Sequence, residues 1–245
     1  MMQFRAFVIA ALVLAVTMGA AAQSTEPTAK TVWDGVYSED QAARGQHQYT
    51  THCANCHRED LSGYGGLLRG SRFMEKFREA SLHLLFDKTR TTMPRGAAGS
   101  LSDEAYVDIV SYLLKMNEFP AGSEELQTAQ LANVQVVSKT GPEPVPNFSL
   151  IRVVGCLTQS DRAWLLTNTT EPARSGNPQP SAEERSAAAN MPLGSETFDL
   201  MVSAAYSPER AIGQKVEVRG FLIRRPTLSR INITSLETLQ PTCGG

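Results

Sequence analysis

The chain lacks an excess of charge of either sign and lacks a hydrophobic run of membrane-spanning length. Its formal net charge is −2 over 245 residues, which argues against nucleic-acid binding and adsorption to an acidic membrane. The one long apolar run, residues 6–18, would span about 20 Å as a helix, against about 30 Å for a bilayer core. We therefore predict no membrane span in the mature chain.

The same apolar run has the pattern of a secretory signal. Arg5 precedes it, and the small residues Ala20–Ala22 follow it. A positive residue, a short apolar stretch and a small-residue cleavage site are typical of an exported protein. We predict a signal peptide over residues 1–22 and a soluble periplasmic protein, with an uncleaved N-terminal anchor as the alternative.

Cysteine and histidine are also scarce, with 4 residues of each. There is no second Cys/His pair at zinc-finger spacing, and a zinc site needs four ligands. Against this background the segment HCANCHR, residues 52–58, concentrates two cysteines and two histidines. A CxxCH motif is typical of covalent attachment of c-type haem. It predicts Cys53 and Cys56 as the thioether-forming residues and His57 as a ligand of the haem iron.

Other functions of this motif are weaker alternatives. A thioredoxin-like dithiol favours a βαβ context, but a helix is predicted from Glu39 into the motif, with Ser38 and Gln41 as a capping box. A simple Cys53–Cys56 disulfide would leave His57 without a role.

Downstream methionines and a histidine are candidates for the second axial ligand. Met93 lies in TTMPRG, a predicted loop between two helices, where Pro94 blocks helix continuation. A thioether on such a constrained loop is a suitable soft ligand, so we predict Met93. His83 or an open iron site is the alternative, and Met74 and Met116 are weaker candidates.

The region around these residues resembles the small class I c-type cytochromes. The resemblance covers residues 32–122 and is closest to bacterial cytochromes that accompany periplasmic quinoprotein dehydrogenases or occur in respiratory chains. It implies a close crossing of the first and last helices at Gly45, Tyr49 and Tyr112. It also implies one covalent haem c and redox partners, namely a dehydrogenase donor and a cytochrome or oxidase acceptor. Leu67 and Leu68 stand where many relatives have a Pro-Leu-like pair.

Apolar residues at helical spacing predict the walls of the haem domain. A helix is expected around residues 81–92 and another over residues 102–117 with Ser102 as its N-cap. The predicted core residues are Leu82, Leu85, Phe86, Ile109, Val110 and Leu113.

The second half of the chain changes to alternating patterns. Five strand candidates cover residues 149–159, 163–170, 197–204, 215–224 and 230–239, which indicates a small β barrel. We thus predict two domains, an all-α class I cytochrome c fold over residues 31–119 and a small all-β, OB-like barrel over residues 150–245. A Pro-rich linker is expected over residues 120–149.

The remaining features of the second half give no activity. Cys156 and Cys243 are predicted to form a disulfide in an exported domain, with two separate thiols as the alternative. Trp164 is predicted as a core residue because a basic, aromatic-rich binding groove is not evident.

The first half also contains a basic cluster, formed by Arg69, Arg72, Lys76 and Arg78. We interpret it as a solvated face, a docking site for an acidic partner or a partner for a haem propionate.

The sequence as a whole predicts a periplasmic mono-haem cytochrome c that carries single electrons and is not itself an enzyme. The alternatives are a haem subunit of a periplasmic dehydrogenase, a peroxidase-like enzyme, or a redox sensor that binds a ligand in its C-terminal domain.

Overall fold

The computed structural model describes residues 30–161 and 163–243. The predicted signal peptide lies outside these residues. No helix in the described ranges has the length and apolar character needed to cross a membrane.

The first half is helical, as predicted. Its core is built by the long helices, and a small three-stranded sheet lies beside them in the order β1-β3-β2. The helices are α1 Glu39–His52, α2 Ala54–His57, α3 Ser71–Phe77, α4 Leu82–Thr92 and α5 Asp103–Met116, and the strands are β1 Lys30–Thr31, β2 Ala80–Ser81 and β3 Val134–Val136.

Local sequence signals explain where α1 and α5 begin. The Ser38 hydroxyl accepts from the Gln41 amide at 3.1 Å, and the Ser102 hydroxyl accepts from the Ala105 amide at 3.2 Å. Acidic residues follow both caps, where the positive end of the helix dipole favours them. The six predicted core residues on α4 and α5 are all buried.

The helices α1 and α5 cross at Gly45. A Cβ atom there would lie 1.8 Å from the Asp108 carbonyl oxygen, so only glycine allows this approach. The Tyr49 and Tyr112 rings pack at a centroid distance of 5.1 Å beside the crossing. This confirms the predicted helix crossing.

Gln41 does not complete the predicted capping box. Its side chain is buried, and it donates to the Leu126 carbonyl at 2.9 Å and accepts from the Leu126 amide at 2.8 Å. The buried backbone of residue 126 needs both partners, and Gln41 supplies them, so its side chain turns away from the N-terminus of α1.

Part of the segment predicted as a linker belongs to the first core. Leu126, Leu131, Val134 and Val136 are buried in it, and a 3-10 helix covers Thr128–Asn133. Their pattern is too short for helical periodicity, so the sequence did not separate them from the proline-rich stretch that follows.

The second half is rich in β structure. It contains a six-stranded sheet with its own apolar core, and the strand positions agree with the prediction to within a few residues. The elements are β4 Leu150–Ser160, β5 Ala163–Thr169, β6 Ala173–Arg174, α6 Ala182–Ala189, β7 Glu196–Met201, β8 Lys215–Ile223 and β9 Arg230–Gln240.

Pairing within this sheet is cyclic. Strand β4 pairs with both β5 and β8, β5 pairs with β7, and β8 pairs with β9, all antiparallel. The return is made by a parallel pairing of β7 with β9. Each of these five strands therefore has two neighbours among the five, and β4 also pairs with β6 at Ile151 and Arg152.

The Cys156–Cys243 disulfide is present, as predicted, with a Cα–Cα distance of 5.5 Å. It joins β4 to the chain just after β9 and closes a loop with a sequence separation of 87 residues. Trp164 is only partly buried against the second core, not fully enclosed.

The segment between β5 and β7 covers the outer face of β8. Arg219 and Glu217 are fully buried beneath it and pair at 2.7 Å. Arg219 also donates to the Ser175 hydroxyl at 2.9 Å and lies 3.0 Å from Glu184 of α6. The segment between β5 and β7 is thus held in place by a buried charge.

The helix crossing predicts a strong effect of Gly45→Ala. The new methyl group would displace the Asp108 backbone, and we expect the helical first half to lose about 1–3 kcal/mol of stability, the usual cost of overpacking. Guanidinium unfolding followed by circular dichroism of the helices measures this. Gln46→Ala, at an exposed neighbouring position, is the control, and equal midpoints for the two variants would contradict the packing account.

Candidate haem site

A cavity of about 290 Å³ opens between the helices of the first domain. The apolar side of its wall includes the predicted core residues Leu85, Ile109 and Leu113. All four residues predicted to hold a haem line it, namely Cys53, Cys56, His57 and Met93. The fold thus brings a motif on α1–α2 together with a methionine 36 positions later in the chain.

The two motif cysteines are free thiols, with Cys53 between α1 and α2 and Cys56 within α2. Both are partly buried, and they are not joined in a disulfide. Burial, followed by the neighbouring Cys56, raises the pKa of the Cys53 thiol to about 11. Thiol–disulfide exchange requires a thiolate, so this environment does not favour a redox dithiol.

The His57 imidazole is buried and fixed in one tautomer. Its Nδ1 atom lies 3.1 Å from the Gly66 carbonyl oxygen. Because a carbonyl can only accept, Nδ1 carries the proton and donates it, which leaves Nε2 with a free lone pair. A ligand histidine in metalloproteins usually makes this kind of outer hydrogen bond.

Gly65 packs directly against the His57 ring. A Cβ atom at position 65 would lie 2.8 Å from Cε1 of His57 and 3.0 Å from both ring nitrogens. Residues 63–66 therefore form a close backbone support for the imidazole. The sequence motif predicts the ligand but not this support, because the support depends on a backbone contact.

Met93 directly follows α4 in an extended conformation. The Tyr106 hydroxyl on α5 donates to the Met93 carbonyl at 2.8 Å and accepts from the Gly99 amide at 3.1 Å. One tyrosine thus holds both ends of the loop that carries Met93. The sequence pattern does not indicate this role, because residue type and spacing do not show what the Tyr106 hydroxyl contacts.

The alternative ligands lie elsewhere. His83 is exposed on α4 and packs near Phe86, with ring centroids 6.2 Å apart. Met74 and Met116 pack partly buried against the first core. None of these three lines the cavity. In the part of the chain that the structure describes, no cluster of three or more His, Cys, Asp or Glu side chains could hold a metal ion.

The predicted basic cluster divides into paired and unpaired members. Arg72 pairs with Glu75 at 2.9 Å, Arg69 lies 3.7 Å from Glu118, and Arg78 pairs with Glu143. Lys76 differs, since it lines the cavity and forms no salt bridge among residues 30–161 and 163–243. Exclusion of water and then the positive charge of Lys88 lower the pKa of Lys76.

These residues fit a covalently attached haem. Two free thiols, an imidazole with its Nε2 available and a thioether face one largely apolar cavity. Leu67 and Leu68 lie at its rim, where the Asn117 side chain donates to the Leu68 carbonyl at 3.0 Å.

Comparison with known families agrees with this geometry. Residues 40–113 match the family model described as Cytochrome C oxidase, cbb3-type, subunit III. This segment is a cytochrome c domain. Its cofactor is haem c, bound covalently, and its chemistry is haem-based electron transfer.

The match has a clear limit. It covers under a third of the chain and includes none of the six-stranded sheet. Neither a curated protein nor a solved structure matches the chain.

The Met93 loop gives a testable prediction. Tyr106→Phe keeps the buried ring but removes two hydrogen bonds, at a net cost of about 1 kcal/mol each. The Gly99 amide loses one of them, so we expect its hydrogen to exchange about fivefold faster, as measured by NMR, since 1.4 kcal/mol corresponds to a factor of ten. Tyr112→Phe, whose hydroxyl lies 3.4 Å from its acceptor on Glu59, is the control. Equal protection of Gly99 in both variants would exclude the proposed anchoring.

Proposed function

We propose that this protein is a periplasmic mono-haem cytochrome c that carries single electrons between a dehydrogenase and a terminal acceptor. One observation carries the proposal, namely that Cys53, Cys56, His57 and Met93 line the same cavity. In this proposal Cys53 and Cys56 form the thioether bonds, and His57 and Met93 are the axial ligands.

The described contacts support a ligand set that stays fixed in both oxidation states. When bound, haem c supplies an iron that accepts and donates one electron at a time. His57 is oriented by the Gly66 carbonyl, and the loop of Met93 is tied at both ends to Tyr106. Because the ligands are held by the fold, little reorganisation accompanies each electron transfer.

The rim of the cavity supports contact with a redox partner. Tyr64 and Leu67 line the cavity and are exposed by 82% and 48%. The cationic Lys88 and Arg95 also line the cavity. An apolar rim bordered by positive charge suits transient docking of an acidic surface.

For the second domain, we propose a closed five-stranded barrel of the OB-like type. Its support is the cyclic pairing of β4, β5, β7, β9 and β8, with a parallel step between β7 and β9. An open cleft lies at one side of it, lined by Trp164, Met201, Asn232 and the Asp199–Arg230 ion pair. This cleft is what favours the second candidate function, a redox sensor that binds a small ligand.

The attachment proposal is tested by Cys53→Ala and Cys56→Ala. Each change removes one thioether, so we expect loss or severe reduction of haem that survives denaturation, measured by mass spectrometry and by the pyridine haemochrome spectrum. Cys243→Ala, which removes the second domain's disulfide instead, should keep full haem content. A colourless wild-type protein, matured by its own export host, would refute the cytochrome function altogether.

The ligand proposal is tested by Met93→Ala. We expect the haem to stay attached, the midpoint potential to fall, and carbon monoxide to bind the reduced protein at neutral pH, because the thioether no longer occupies the iron. Met74→Ala, which alters a methionine outside the cavity, should behave like the unmodified protein. Carbon monoxide binding to the unmodified reduced protein would favour the peroxidase-like alternative.

The sensor candidate is tested by the midpoint potential in the presence of candidate small ligands. A shift that is abolished by Trp164→Ala would support it. An unchanged potential with each of these ligands favours the simple carrier.

A further inference from the structure

The two domains meet through a side chain of the second domain that binds the backbone of the first. Arg174, in β6, donates from Nη1 to the Lys76 carbonyl at 2.8 Å and from Nη2 to the Glu75 carbonyl at 2.9 Å. Both carbonyls belong to the last turn of α3, where the helix itself provides no donors. Arginine is well suited to this task, because its planar fork reaches two acceptors at once.

One of the two residues that Arg174 clamps, Lys76, belongs to the haem cavity. Lys76 and the next residue, Phe77, both line it. The Lys76 ammonium lies 5.4 Å from the centroid of the Phe77 ring, and Phe77 packs on Phe73 at 5.1 Å. A shift of the last turn of α3 would therefore move both a positive charge and an aromatic wall of the site.

Arg174 is itself held rigidly on the side of the second domain. It pairs with Ile151 of β4, and the next residue, Ser175, donates its amide to the Leu150 carbonyl at 2.9 Å. The buried Arg219 holds the Ser175 hydroxyl. The adjacent residues Arg174 and Ser175 thus link the buried Arg219 to the backbone of Lys76 at the haem cavity.

The Arg174 guanidinium also lies among other charged side chains. Arg78 and Glu79 lie beside Arg174, and burial followed by Arg78 lowers the pKa of Arg174, while Glu79 opposes the shift. Arg78 pairs with Glu143, and Glu79 accepts from the Glu143 amide at 2.9 Å. The guanidinium stays protonated throughout the physiological range.

From this arrangement we infer that Arg174 is a positioning residue for the haem: the second domain uses it to fix Lys76 and Phe77 at the cavity and so to raise the midpoint potential of the first domain. Two effects act in the same direction. The clamp fixes the backbone of Lys76, whose side chain lines the cavity, and it restrains the adjacent Phe77, whose buried ring keeps water away from the site. Both disfavour the ferric state, which carries one more positive charge than the ferrous state.

The test compares three variants of the full-length haem protein by spectroelectrochemical titration. Arg174→Gln removes the charge and the bidentate clamp, and Arg174→Lys keeps the charge but loses the bidentate clamp. Arg72→Gln is the matched control, since it removes an equal charge from the exposed face of the same helix α3. Circular dichroism of the β structure checks that the second domain stays folded.

We expect the ratio of reduced to oxidised haem at a fixed potential to fall roughly threefold in Arg174→Gln, or about 28 mV at 59 mV per tenfold for one electron. Arg174→Lys should recover only part of this loss, whereas Arg72→Gln should leave the ratio within experimental error. Equal potentials in Arg174→Gln and the unmodified protein would overturn the inference. Equal shifts in Arg174→Gln and Arg72→Gln would overturn it too, because charge alone would then explain them.

This inference rests on the haem attachment of the proposed function, but the two fail differently. Absence of haem from the unmodified protein contradicts the proposed function. A normally loaded cytochrome whose potential ignores Arg174 contradicts only the role of the second domain.

Discussion

The close crossing of α1 and α5 at Gly45 is the contact on which the haem domain depends. Helix α1 runs directly into the CxxCH turn, and α5 carries Tyr106. The angle and distance of this pair therefore determine where His57 lies relative to the loop of Met93. A side chain at position 45 would meet the Asp108 backbone before the helices could approach. The relative position of His57 and the Met93 loop therefore depends on glycine at position 45.

A second level of organisation comes from backbone carbonyls that act as hydrogen-bond acceptors for functional side chains. The Gly66 carbonyl orients His57, the Met93 carbonyl accepts from Tyr106, and the Lys76 carbonyl accepts from Arg174. The Gly66 carbonyl thereby orients a side chain, whereas Tyr106 and Arg174 each fix the main chain of another segment. Arg174 does not line the cavity itself, and it is a contribution from outside the cytochrome segment.

The sequence predicted the elements of the fold well where their signals are local. Helix α5 was evident from Ser102 and its apolar face, and five strands were evident from alternation. The CxxCH motif and Pro94 pointed to residues that the structure brings to one cavity. Contacts that depend on backbone geometry could not be predicted in this way, because they have no signature in residue type or spacing. Examples are the turn of Gln41 toward Leu126, the packing of Leu131 into the first core and the clamp of Arg174.

The four cysteines of this chain must reach different chemical states during maturation. Under the proposed attachment, Cys53 and Cys56 must reach the haem vinyl groups as thiols, whereas Cys156 and Cys243 are oxidised to each other. Mispairing between the two sets would block haem loading and tie the wrong segments together. Strand β4 and the chain after β9 bring Cys156 and Cys243 together in a sheet that has its own apolar core. If this sheet folds early, Cys156 and Cys243 are already paired with each other. Cys53 and Cys56 then stay reduced and can react with the haem.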